Sequence, residues 1–207
     1  MPVKLKSSAR RSRRNKKIAI GVFVIALIAI SAMLVFIYGR PSPVTPPVVQ
    51  GKVVLQTSMG NITIELRDDK PKTSENFKNL VQQGLYNGTI FHRVIEGFMV
   101  QGGKINQSIP AIPDEIGSDN HNLNGTVAMA NAGPNTATSE FFINVANNTK
   151  ITYPDGSKFD GSYTVFGKVI DGMDVVMAIS RVPVDDPTSQ SPKPLQDVTI
   201  IRVTVLP

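Results

Sequence analysis

The chain of 207 residues contains no cysteine and no tryptophan, and only two histidines. Without cysteine there is no disulfide scaffold, no thiol nucleophile, no iron–sulfur cluster and no thiolate zinc site. His92 and His121 lie far apart in sequence and form no pair at metal-ligand spacing, so a histidine-rich metal centre is not expected. Charged residues make up 18% and hydrophobic residues 41%, a balance that argues against global disorder.

Positive charge is also scarce where a nucleic-acid-binding body would need it. The formal net charge is +6, but eight basic residues crowd into positions 4–17 with no acid among them. From Gly51 onward there are 13 basic and 16 acidic residues, a net of −3. A nucleic-acid partner is therefore not expected, because the basic charge does not lie on the folded domain.

Beside the basic tail runs IAIGVFVIALIAISAMLVFIY, residues 18–38, with no charge in it. At about 1.5 Å per residue such a run reaches roughly 30 Å, the thickness of a bilayer core. A cleaved signal peptide would carry a shorter apolar region followed by a small-x-small site. Here Met33–Tyr38 stays apolar past the weak Ala29-Ile30-Ser31 site. The expectation is a single uncleaved transmembrane helix. The cations before it are expected to keep residues 1–17 in the cytoplasm and to leave residues 41–207 outside the cell membrane. Residues 39–50, with four prolines in RPSPVTPPVVQ, read as a stiff spacer, and residues 51–207 as one domain.

Within that domain short strand signals dominate. Lys52–Thr57 and Asn61–Leu66 flank a Ser58-Met59-Gly60 turn. Pro71 and Thr73 open a helix with Phe77, Leu80 and Val81 on one face, and Gly84 stands where a C-cap glycine belongs. Further strands are expected over Thr89–Ile95, Phe98–Gln101, Thr126–Ala130, Phe141–Val145, Tyr163–Ile170 and Val198–Val205, with a second short helix over Met173–Arg181. Many short strands with two short helices imply an all-β sandwich or barrel, and periodicity does not choose between them.

Three segments carry the chemistry: FHRVIEGFMVQGG at Phe91–Gly103, MANAGPNTATSEFFI at Met129–Ile143, and FDGSYTVFGKV at Phe159–Val169. Arg93 sits in an apolar strand-like run, where an unpaired cation is costly to bury. Read alone, it is a surface guanidinium over aliphatic neighbours. Together with PKTSENFKNL at Pro71–Leu80, these segments resemble the cyclophilins, the peptidyl-prolyl cis–trans isomerases (EC 5.2.1.8), in their short prokaryotic form. The resemblance covers Val53 to Leu206.

The resemblance implies a closed, eight-stranded antiparallel barrel with two helices. It implies Arg93 as the catalytic donor to the prolyl nitrogen. Phe98, Met99, Phe142 and Phe159 would form the proline slot, and Gln101, Ala130 and Asn131 the groove for the peptide backbone. Tyr163 replaces a common histidine and would bond the substrate carbonyl. Substrates would be proline-containing polypeptides, with no cofactor and no metal, and the protein a monomer. An alternative within the same resemblance is a weakly catalytic or inactive chaperone module that only binds proline segments. His92 reads as structural and His121 as solvated.

Two departures stand out. Glu140 occupies the glutamine position of the family's S-Q-F-F string, and is expected to pair with or near Arg93 and orient it. A tryptophan common in eukaryotic members near residue 150 is absent, so tight cyclosporin binding is not implied. Finally, Asn61, Asn87, Asn106, Asn124 and Asn147 each begin an N-x-S/T sequon. These are either glycan acceptors or chance matches in a chain rich in Asn and Thr.

Overall fold

The computed structural model describes residues 51–207. The tail, the apolar run 18–38 and the proline-rich spacer lie outside the described residues. No helix among those described is long and apolar enough to cross a membrane.

Eight strands form one antiparallel sheet: β1 (Lys52–Thr57), β2 (Gly60–Leu66), β3 (Phe91–Ile95), β4 (Met99–Gly102), β5 (Thr126–Met129), β6 (Phe141–Asn144), β7 (Val165–Asp171) and β8 (Ile200–Leu206). Their order across the sheet is β3-β4-β6-β5-β7-β2-β1-β8. Helix α1 (Pro71–Gln82) and helix α2 (Met173–Ile179) complete the domain. The expected ring of strands is only partly closed. The terminal strands β3 and β8 meet through a short seam, where Phe91 N–H donates to Val198 C=O at 2.9 Å and Ile200 N–H donates to Thr89 C=O at 2.8 Å. Thr89 and Ile90 belong to this seam and not to β3, which therefore starts two residues later than expected.

The strand pattern follows burial. Along β1 and β2 the residues Val53, Leu55, Ile62, Ile64 and Leu66 point inward with period two, and all are buried. They join Phe77, Tyr86, Phe91, Phe141 and Phe166 in the main core. Phe77 contacts three of these rings at centroid distances of 5.0, 5.4 and 5.1 Å. Thus α1 is anchored by Phe77, Leu80 and Val81, with Phe77 at the centre of an aromatic cluster.

The N-terminus of α1 lacks a capping side chain of its own, and Pro71 takes the first helical turn. The cap comes from Glu115, whose carboxylate accepts the N–H groups of Lys72 (3.1 Å) and Thr73 (2.8 Å) and the Thr73 hydroxyl (2.7 Å). A negative group there also complements the helix dipole. Other boundaries shift by one or two residues. Phe98 lies in the turn before β4, where Gly97 has φ +73° and Phe98 N–H donates to Ile95 C=O. Tyr163 and Thr164 precede β7.

Candidate active site

A second, smaller apolar cluster lies on the opposite face of the central strands. It contains Met99, Ala128, Phe142, Phe159 and Val165, with Phe98, Ala130, Ile151, Tyr153 and Tyr163 packed against it. The sheet register explains its position. Arg93 pairs with Gln101, Gln101 with Phe142, Phe142 with Ala128, and Ala128 with Val165. One cross-strand row thus carries Arg93, Gln101 and the apolar floor together.

The floor is aromatic. Phe159 contacts Phe98 at 5.0 Å, Phe142 at 5.6 Å and Tyr163 at 5.0 Å between centroids. Phe142 and Tyr163 meet edge to face at 5.3 Å. Met99, Phe142 and Phe159 are buried, whereas Phe98 and Tyr163 are half-buried at its margin. The residues expected to form a slot are therefore assembled, including Phe159, which reaches the floor through the backbone bond from its N–H to Ile151 C=O.

Arg93 is half-buried at one end of the row. Its Nε donates to Gln190 C=O at 2.9 Å, and its Nη1 donates to Gln101 Oε1 at 3.1 Å. Nη2 makes no hydrogen bond among the described residues. Burial lowers the guanidinium pKa from its ordinary value, but it remains a cation. Two atoms fix the fork and one edge stays available.

Glu140 does not pair directly with Arg93, contrary to the simplest form of the expectation. Gln101 stands between them, donating from Nε2 to Glu140 Oε2 at 2.8 Å while its Oε1 accepts from Arg93. His92 Nε2 approaches the same Glu140 oxygen at 3.2 Å. The hydrogen bond from His92, more than the one from Gln101, holds the Glu140 carboxyl below its usual value against the opposing effect of burial. The register slips between Phe91 and Arg93, so a β-bulge at His92 allows both consecutive side chains to join this network. His92 is thus tied to the network that holds Arg93, and is more than packing. His121, expected to be solvated, is exposed but bonded through Nδ1 to Asp160 Oδ2 at 2.8 Å.

Asn131 spends its side chain internally, with Nδ2 donating to Ser162 C=O at 2.9 Å. Its backbone N–H and C=O have no partner among the described residues, and the same holds for the C=O of Ala130. Free backbone groups of this kind are what an extended peptide can pair with. Tyr153 was not anticipated from the sequence. Its hydroxyl lies 2.8 Å from the Tyr163 hydroxyl, and its ring contacts Phe159 at 6.2 Å. Burial, reinforced by the bond to Tyr163, pushes the Tyr153 phenol well above its ordinary value, so it stays neutral and able to donate.

The family model for cyclophilin type peptidyl-prolyl cis-trans isomerase/CLD matches residues 52–205. The chain belongs to the cyclophilins. A peptidyl-prolyl cis-trans isomerase of Acinetobacter baylyi is 44% identical over 161 residues, covering 74% of this chain and 84% of that protein. Peptidyl-prolyl cis-trans isomerase B of Escherichia coli is 41% identical over 161 residues, covering 74% of this chain and 98% of that protein. The crystal structure of a Cryptosporidium parvum cyclophilin type isomerase is similar with a TM-score of 0.64 and 31% identity, covering 76% of this chain and 98% of that one. The same Cryptosporidium protein has been solved in the presence of the dipeptide Ala-Pro. This cyclophilin is accordingly a peptidyl-prolyl cis-trans isomerase, with all-β strands and two helices as the family resemblance implied.

Proposed function

We propose that this cyclophilin isomerises X–Pro bonds of secreted or surface proteins outside the membrane, with Arg93 as its catalytic residue. The observation that carries the assignment is the Arg93 guanidinium, fixed by Gln190 and Gln101 at the end of a row floored by Phe142. Rotation about an amide faces a barrier of about 18–20 kcal/mol from resonance. A cationic donor aimed at the prolyl nitrogen localises its lone pair and weakens that resonance as the bond twists. No covalent bond breaks, so the chemistry needs neither a nucleophile nor a metal.

The proline ring enters the slot of Phe98, Met99, Phe142 and Phe159. The preceding carbonyl meets the Tyr163 hydroxyl. Gln101, Ala130 and Asn131 hold the peptide backbone. Glu140 is a positioning residue: its charge fixes the Gln101 amide with Nε2 toward itself and Oε1 toward Arg93. Acceleration comes from binding the twisted state better than either planar one. The Ala-Pro dipeptide used with the Cryptosporidium relative supports proline as the recognised unit.

Location is read from the sequence. Residues 18–38 span the cell membrane once, residues 1–17 remain cytoplasmic, and residues 51–207 act outside as a monomer on exported chains. Protease added to intact cells should cut within residues 41–207 and leave a membrane-bound basic fragment. A soluble mature chain beginning near Ala32 would contradict the anchor. For the catalytic assignment, Arg93→Lys is the direct test. The point charge lacks the planar fork, so it should restore only part of the turnover lost in Arg93→Ala. Full wild-type exchange in either variant, with an unchanged circular dichroism spectrum, would refute the assignment.

A further inference from the structure

We propose that this cyclophilin is N-glycosylated at one or more of Asn61, Asn87, Asn106, Asn124 and Asn147. The inference rests on the extracytoplasmic location proposed above and goes beyond it. An N-linked sugar is carried on Nδ2 of asparagine within N-x-S/T. An acceptor must therefore be exposed, with that nitrogen free of internal bonds in the folded protein.

The asparagines of the domain divide along this line. Asn76, Asn120, Asn122, Asn131, Asn144 and Asn148 are buried or half-buried. Each uses Nδ2 inside the fold, for example Asn76 to Thr138 C=O at 2.8 Å, Asn120 to Tyr163 C=O at 2.8 Å and Asn148 to Phe98 C=O at 2.9 Å. Asn122 donates to Asp160, Asn131 to Ser162, and Asn144 to Asn122 and Thr126. None of these six begins a sequon.

The remaining seven asparagines are exposed, and five of them begin sequons; only Asn79 and Asn135 do not. Nδ2 makes no hydrogen bond among the described residues at any of the five. Asn87 and Asn147 use their side-chain oxygens instead, accepting from Val203 N–H at 3.0 Å and from the Thr149 hydroxyl at 2.8 Å. Composition alone accounts for fewer sites. With 23 Ser or Thr among residues 51–207, thirteen asparagines would begin about two sequons, against the five present. Excess and exposure coincide at the same side chains.

The transfer balances simply. Asn Nδ2 attacks the anomeric carbon of a polyprenyl-phosphate-linked sugar and loses one proton. The C–N bond forms, the C–O bond to phosphate breaks, and the phosphate leaves with the electron pair. A membrane transferase supplies the catalysis and the lipid-linked sugar is the donor. None of the five side chains belongs to the Arg93 row or to the Phe98–Met99–Phe142–Phe159 slot.

The test is peptide mass spectrometry of the full chain isolated from its own cell membranes. Sugar masses are expected on sequon peptides. Substitution of a modified asparagine, Asn124→Gln for example, should remove one glycan without changing isomerase turnover. Asn79→Gln and Asn135→Gln should remove none. Unmodified asparagine at all five positions overturns the proposal. Protease treatment of the same intact cells then identifies which reading has failed. Cleavage of an unmodified domain rejects glycosylation alone, while full protection rejects the external location and glycosylation with it.

Discussion

Glu140→Gln separates a charged positioning residue from a tolerated substitution. In the wild type, Glu140 Oε2 accepts from Gln101 Nε2 at 2.8 Å, and His92 Nε2 lies 3.2 Å from the same oxygen. While ionised it only accepts, so Gln101 must turn Nε2 toward it and Oε1 toward Arg93. Protonation makes Glu140 a donor, allows the Gln101 amide to flip, and sets an amide donor against the guanidinium. A hydrogen bond to a charged group contributes about 1.5–3 kcal/mol and a neutral one about 0.5–1.5 kcal/mol. The Glu140 side chain is 30% exposed, which favours the lower part of each range. The difference is then about 1 kcal/mol, or roughly fivefold in turnover if it is expressed wholly in the twisted state. Since the Glu140 pKa is lowered from 4.5, the wild-type decline should lie below that value. Linkage has the same sign: stability from the depressed pKa is present above the unfolded pKa and lost as pH falls through the folded one. Glu140→Gln should stay within about fivefold of wild type near neutrality and show no acid limb. Exchange spectroscopy on a proline peptide without titratable groups avoids an acid-sensitive coupling protease. Superimposable profiles for the two proteins across the carboxylate range would refute the positioning role.

Replacing His92 with leucine should raise the Glu140 pKa, because its largest depressing influence is gone. The acid limb should move toward neutral pH, as a titration of exchange rate would show. Tyr153→Phe removes the partner that orients the Tyr163 hydroxyl toward the substrate carbonyl and should weaken peptide affinity by up to roughly fivefold, the value of one hydrogen bond of about 1 kcal/mol, with the maximal exchange rate little changed. Isothermal titration with a proline peptide measures the first effect and exchange spectroscopy the second. Gly103→Ala should destabilise the domain by at least about 1–3 kcal/mol. The glycine has φ +76°, and an added Cβ would meet the Phe141 ring at 2.7 Å, so the denaturation midpoint should fall at unchanged slope.

Much of the fold was legible because strand burial alternates simply. Val53, Leu55, Ile62 and Ile64 alternate with exposed or half-buried residues, so β1 and β2 could be read locally. The slot residues were legible only as a family resemblance, since Met99, Phe142 and Phe159 are buried like any core residue. Three features escaped the sequence. Gln190 comes from a connection without periodicity and meets Arg93 across 97 positions, through a backbone carbonyl that any residue provides. Tyr153 lies in a turn-rich segment where nothing local directs it toward Tyr163. The His92–Glu140 contact depends on a bulge and on strand order, neither of which the spacing of 48 residues encodes. The closed ring was implied by the family resemblance and not by the strand pattern; here Thr89–Phe91 and Val198–Ile200 meet only in a short seam.

The central claim is that Arg93 acts on the twisted amide and contributes little to holding the planar peptide. Peptide binding and cis–trans exchange measured together on Arg93→Ala test that claim directly. Loss of a single preorganised charged donor at a reacting centre reduces turnover by about a hundredfold or more. The account predicts a loss of that size in the exchange rate, with peptide affinity retained through the Phe98–Met99–Phe142–Phe159 slot. Equal losses in affinity and exchange, or exchange at the wild-type rate, would contradict it.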